Sequence, residues 1–146
     1  MKAEKLHNWQ LNINQALETQ RQLQAQISRS GRVVSSRFID GVDILASKAR
    51  RMAQAVVIVL SYSELRLVET VGVQGELAFF CIPGLLSFRE SPLILAACQK
   101  LLVTSDIILI DGQGVAHPRR IGLPCHLGLF VAATAYPAIG QKAMLN

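Results

Sequence analysis

The chain lacks any apolar run long enough to cross a membrane. Its longest candidates are Ala53–Leu60, Ile107–Ile110 and Leu127–Ala135, and none approaches the ~18–20 apolar residues that a span requires. This holds although mean hydropathy is high, at +0.33. An apolar leader is missing too. Met1–Gln10 carries two lysines and is followed by a polar, Gln-rich stretch, which excludes a signal peptide there. Three cysteines, Cys81, Cys98 and Cys125, have no C-x-x-C spacing, which argues against a disulfide frame and against a zinc knuckle. No internal repeat or low-complexity tract stands out. The expected setting is cytoplasmic, with no membrane contact.

The 146 residues are 51% apolar and 17% charged. That suits one globular domain with a real core, a chain of this size burying roughly 68–70% of its unfolded surface. Fifteen Lys+Arg stand against ten Asp+Glu, a net charge of +5. The excess fits a polyanionic partner, and fits a solvated basic surface equally well.

Periodicity supplies a coarse layout. Leu11–Ile27 reads as a helix, with Ile13, Ala16, Leu17, Leu23 and Ile27 near one face. Phe38–Ala46 is a strand candidate in which Phe38, Val42 and Ile44 share a face. Ala53–Leu60 is β-branched and without alternation, which predicts a strand buried on both faces. Leu65–Val71 is the next strand. Short breaks between the three favour an antiparallel meander. Ser87–Leu101 has a helical pattern, with Ser91-Pro92 suited to N-cap and first residue. Ser105–Ile110 predicts a further buried strand, Pro124–Ala135 a helix, and Pro137–Gly140 the start of a last strand. The expected class is α/β with a mixed sheet.

Three acids stand out by position. Asp43 lies inside an apolar strand, Asp111 ends a buried one, and Glu90 opens a helix. A carboxylate amid Phe38, Val42 and Ile44 is costly to desolvate unless compensated. A hard divalent cation such as Mg²⁺ or Mn²⁺ is the natural compensator. Taken singly, each acid is equally an exposed edge or turn residue. Two further clusters surround them. Asp111–Arg120 (DGQGVAHPRR) combines glycines, which admit close backbone approach, with arginines suited to phosphate and His117, which could orient a water or touch a phosphate. Its Gly-x-Gly lacks the third glycine of a dinucleotide fingerprint. Cys81–Glu90 (CIPGLLSFRE) could present a rigid wedge to a base stack, or Phe79, Phe80, Ile82 and Leu85 could be core. His126, beside Leu127, is expected to be structural.

These segments carry a resemblance. Gly41–Asp43 (GVD), Ile82–Glu90 (IPGLLSFRE) and Asp111–Arg120 match, in order and approximate spacing, the three signature segments of endonuclease V, and Cys125–Gly128 resembles the helix that follows them. The likeness runs from about Trp9 to Gly140. It implies a ribonuclease H-like fold: an antiparallel meander followed by parallel strands, flanked by helices and incomplete at the C-terminal side. A single domain over residues 1–146 is expected, with an N-terminal helix at about 9–28 and a catalytic core at about 37–146. The implied activity is Mg²⁺-dependent nicking, Mn²⁺ substituting, at the second phosphodiester 3′ to a deaminated base. The implied substrate is deoxyinosine-containing DNA, or inosine-containing RNA, and the protein is expected to act in DNA repair as a monomer without a small-molecule cofactor.

By the same resemblance, Asp43, Glu90 and Asp111 are the metal-binding, catalytic acids. Asp43 and Asp111 hold the ion that polarises the scissile phosphate, and Glu90 holds a water or a second ion. Cys81, Ile82, Pro83, Gly84, Gly112, His117, Arg119 and Lys142 fall on the nucleic-acid and lesion contacts, Gly84 and Gly112 letting backbone close on an everted base. Three departures accompany the match. Phe80-Cys81-Ile82-Pro83 stands where the family has Pro-Tyr-Ile-Pro, so a thiol replaces the wedge tyrosine. Phe130–Pro137 is longer than its counterpart and lacks an acid, and Lys142 comes one position early. The chain also stops at Asn146, where most members continue for dozens of residues, which predicts one exposed flank of the sheet. The alternative reading is an impaired remnant that only binds nucleic acid; a phosphoesterase of small substrates has only the three acids behind it.

Overall fold

The computed structural model describes residues 3–30, 33, 35–47, 51–131 and 134–137. Asn12 starts helix α1 (Ile13–Leu23). Its side chain accepts from the Gln15 N–H while the Gln15 side chain accepts from the Asn12 N–H, each at 2.9 Å. This reciprocal cap satisfies two donors that a helix start leaves open. It also holds residue 12 extended, so the helix begins two residues after Leu11. A 3₁₀ turn over Gln24–Gln26 closes it.

Three antiparallel strands follow, β1 (Phe38–Ala46), β2 (Met52–Ser61) and β3 (Leu67–Glu76). The third runs five residues beyond Val71, through Gly72 and Gly75. Pairing with the full length of β2 holds those glycines in a strand despite their weak propensity. Helix α2 (Leu86–Gln99) leads to β4 (Ile107–Ile110), which lies parallel to β1. After α3 (Leu123–Phe130), β5 (Thr134–Pro137) adds in parallel to β4. The order is β3-β2-β1-β4-β5, the expected meander followed by parallel strands.

Several expectations are corrected. Helix α2 covers nearly the expected Ser87–Leu101, but Ser91-Pro92 is not its cap and first residue: Leu86 starts it and Pro92 lies inside it. Burial sets the earlier start: Leu85, Ser87 and Phe88 are sealed against the core, and this packing outweighs the lost proline donor. Buried Ser91 Oγ makes no cap and has no partner among the described residues. Helix α3 ends at Phe130, five residues before Ala135, because Val131 is extended and Thr134–Pro137 gains a ladder with β4. Strand β2 is buried on one face only. Ala53, Ala55, Val57 and Val59 are sealed, while Val56, Ile58 and Leu60 are half-buried. Of the expected Pro137–Gly140 strand only Pro137, like none of Lys142, falls within the described residues.

The core explains that asymmetry. Val42, the four sealed residues of β2, Ile108 and Ile110 meet Leu93–Leu95 of α2 and Leu123, Leu127 and Phe130 of α3. Each of the Val, Leu, Ile and Phe side chains among them contributes about 1.5–3 kcal/mol on burial. A second cluster, Ala16, Phe79, Leu85 and Phe88, seats α1 against the loop between β3 and α2. Among the described residues no helix is long and apolar enough to cross a membrane.

Candidate active site

Parallel pairing matches Val42 of β1 with Ile110 of β4. Asp43 is the next residue of β1 and Asp111 is the residue directly after β4, so both acids follow this last pair on neighbouring chains. Both aspartates are exposed. The expectation that Asp43 is buried amid Phe38, Val42 and Ile44 therefore fails, for a reason of period: residues 38, 42 and 44 share their face with residue 40. The acid sealed within β1 is Asp40. Asp43 points to the opposite side, where its Oδ1 accepts from the Ile44 N–H at 2.8 Å.

Glu90, in the second turn of α2, is half-buried. Burial first, and then the negative charges of Asp43 and Asp111, push its carboxyl up to about 7, while Arg89 pulls the other way. The three acids thus act on one another across β1, β4 and α2. Among the described residues no three side chains already converge as an ion's ligands do, so closing on one ion takes side-chain rotation. The donor set nonetheless fits a hard divalent cation: three carboxylates, no sulfur or imidazole, and a repulsion that a cation relieves.

The second constellation is built around one carbonyl. Gly84 adopts φ +81°, and its oxygen accepts from Gln20 Nε2 at 3.0 Å, Arg119 Nη2 at 2.7 Å and His117 Nε2 at 3.0 Å. The Arg119 N–H occupies His117 Nδ1 at 3.1 Å, which assigns the imidazole proton to Nε2. Burial holds His117 below its ordinary pKa, with the Arg119 charge acting in the same direction and the Gly84 bond opposing it. Arg119 Nε also donates to Gln20 Oε1. His117 and Arg119 therefore turn inward and clamp the Cys81–Gly84 loop onto the Asp111–Arg120 loop and α1. Gln20, fully buried, is the member that sequence reasoning missed. It lies 64 residues from Gly84 and 99 from Arg119, and no local pattern announces it.

The remaining residues are placed as follows. Cys81 and Pro83 are exposed and Ile82 is half-buried. Phe79 and Leu85 are core, whereas Phe80 is 66% exposed. Gly112 has φ +148°, turning the backbone directly after Asp111. Gly122 caps α3, where a Cβ would strike the Gln113 carbonyl. His126 is structural. It is buried, accepts from Ser87 Oγ at 2.7 Å, meets His7 Nε2 at 2.8 Å, and is pushed down to about 3 by burial and by His7.

Residues 21–144 match the family model for endonuclease V. The chain belongs to the endonuclease V family. It is 45% identical to the endonuclease V of Dehalococcoides mccartyi strain BAV1 over 131 residues, 90% of this chain and 59% of that one. To that of Gloeobacter violaceus it is 44% identical, over 86% and 52%. Among solved structures, Bacillus subtilis endonuclease V superposes with a TM-score of 0.84 at 28% identity, over 91% of this chain and 58% of that one. The Ciona intestinalis endonuclease V, in complex with a 24mer DNA containing an inosine followed by a ribo-adenosine, does so at 0.74 and 28% identity, over 80% and 53%. The fold is thus α/β and ribonuclease H-like, and the chain spans a little more than half the length of these endonuclease V relatives.

Proposed function

We propose that this endonuclease V family member is a Mg²⁺-dependent endonuclease, Mn²⁺ substituting, that nicks deaminated DNA at the second phosphodiester 3′ to deoxyinosine. The observation that carries the reading is that Asp43 and Asp111 each follow the last residues paired between β1 and β4, with Glu90 responding to both charges. Asp43 and Asp111 would hold the cation, and Glu90 completes the donor set. Once bound, a divalent ion supplies Lewis-acid activation of the phosphate and of water. Gly112 bends the chain away behind Asp111 and leaves that carboxylate at the rim. The Gly84 carbonyl, taken by three donors, keeps the Cys81–Gly84 loop fixed while a strand lies against it.

A duplex with a single deoxyinosine, incubated with Mg²⁺, should be nicked at one position, and excess chelator should stop the reaction. Loss of inosine selectivity, or no nicking in Mg²⁺ and Mn²⁺ alike, overturns the proposal. Inosine-containing RNA in the same assay decides between the two nucleic acids.

A further inference from the structure

The loop between β3 and α2 presents one large aromatic to solvent. Phe80 is 66% exposed, while its neighbour Phe79 is 5% exposed and packs against Phe88 at 5.7 Å between ring centroids. Phe79 thus anchors the backbone from below, and Gly84 is clamped four residues on, so the Phe80 ring stands on a rigid support. The Arg51 guanidinium lies over the ring, 5.3 Å from its centroid. Arg51 itself is fixed beside the loop, its carbonyl accepting from the Leu77 N–H at 2.7 Å. The location matters as much as the pair. Met52 pairs with Glu76 and Ala46 with Ala53, so β1 and β3 end, and β2 begins, at one end of the sheet. Asp43 and Asp111 lie toward that same end.

We infer that Phe80 and Arg51 form a stacking platform for a nucleobase of the bound strand, the ring taking the base and the guanidinium the adjacent phosphate. An exposed aromatic beside a cation matches the two recurring parts of a nucleic-acid strand, a π-face and a negative charge. Cys81, exposed next to it, has too little surface to serve as the stacking face. The inference rests on the endonuclease reading for its choice of ligand, and it adds a residue which that reading leaves unused.

The test uses the full chain without turnover. A fluorescently labelled deoxyinosine duplex, with 2-aminopurine beside the lesion, is titrated in chelator, with melting curves and sedimentation run on every variant. Phe80→Ala and Phe80→Leu should both weaken binding roughly 5- to 150-fold, the range one base–aromatic stack is worth, and both should lose the 2-aminopurine quenching. Phe80→Trp should retain affinity and quenching. Arg51→Gln should weaken binding and lower the salt slope by about one. Wild-type affinity and quenching in Phe80→Leu overturn the platform. So does a wild-type chain that fails to bind, or a change in oligomeric state on losing the ring, which would assign Phe80 to a protein contact. Because the readout is binding and quenching, it fails separately from the nicking reaction: a wild-type chain that quenches without nicking leaves the platform standing and sinks the endonuclease.

Discussion

Asp40 and Asp43 share strand β1 and live in opposite surroundings. Asp40 is sealed against the helices. Ser105 Oγ donates to its Oδ1, its Oδ2 has no partner among the described residues, and burial raises its carboxyl to about 6. Asp43 faces the open side of the sheet. A shift of three residues changes the face and with it the role: one acid strains the core, the other can meet an ion. Of the two carboxylates of β1, the buried one is therefore not the one proposed to hold the cation. Asp43→Ala gives the largest expected effect. Nicking of the deoxyinosine duplex should fall by more than ~100-fold, since even outer partners of metal ligands are worth 10–100-fold. Stability should stay within ~0.5 kcal/mol, as for other exposed substitutions. A variant that still nicks would break the assignment of the two faces.

Asp40 is expected to show the reverse, an effect on stability that depends on pH. Its folded pKa lies above the ordinary 3.8. Between about 4 and 6 the folded chain keeps a proton that the unfolded chain has lost, so stability falls as pH rises through that window. Asp40→Asn removes this loss. In metal-free melts the variant should match wild type most nearly at pH 4 and gain on it by up to about 3 kcal/mol by pH 8. A gain that is the same at both pH values would remove Asp40 from this account. Next in size is Gly84→Ala, outside either face. A Cβ there would lie 2.6 Å from Arg119 Nη2 in a positive-φ residue. Denaturant melts should show a loss of about 1–3 kcal/mol, with a weaker grip on nucleic acid as the clamp loosens.

Much of this was legible in the sequence, and the failures have physical causes. Strand β1 was read to the residue because Phe38, Val42 and Ile44 mark an alternating apolar face along it, and the meander followed from the short breaks. The helical pattern of Ser87–Leu101 found α2 to within two residues at either end, whereas Ser91-Pro92 was misread as its cap, since Pro92 is a strong local signal and the burial of Ser87 and Phe88 that overrides it comes from distant partners. Helix α3 was read too long because the alanine-rich stretch after Phe130 has helical propensity, whereas the parallel ladder with β4 is non-local. For the site, the three acids were visible as residues, but the burial was assigned to the wrong aspartate by neglecting the period of two. His117 and Arg119 were visible as a motif. Their inward orientation was not, because it depends on Gln20 from α1.

The smallest expected effect is also the most direct check on which side of the sheet is open. Leu45 follows Asp43 on the same face of β1 and is 76% exposed. Val57, on the packed face of β2, is fully buried. Val57→Ala removes two buried carbons, which at ~0.8 kcal/mol each, plus the cavity left behind, costs about 1.5 kcal/mol or more. Leu45→Ala removes more carbon from a side chain that water already reaches, so denaturant melts should shift by less than ~0.5 kcal/mol. The larger truncation then has the smaller consequence, an inversion that only exposure explains. Were Leu45→Ala to cost as much as Val57→Ala, the Asp43 face would be covered in solution, and a strand of nucleic acid would have to displace that cover before reaching Asp43 and Asp111.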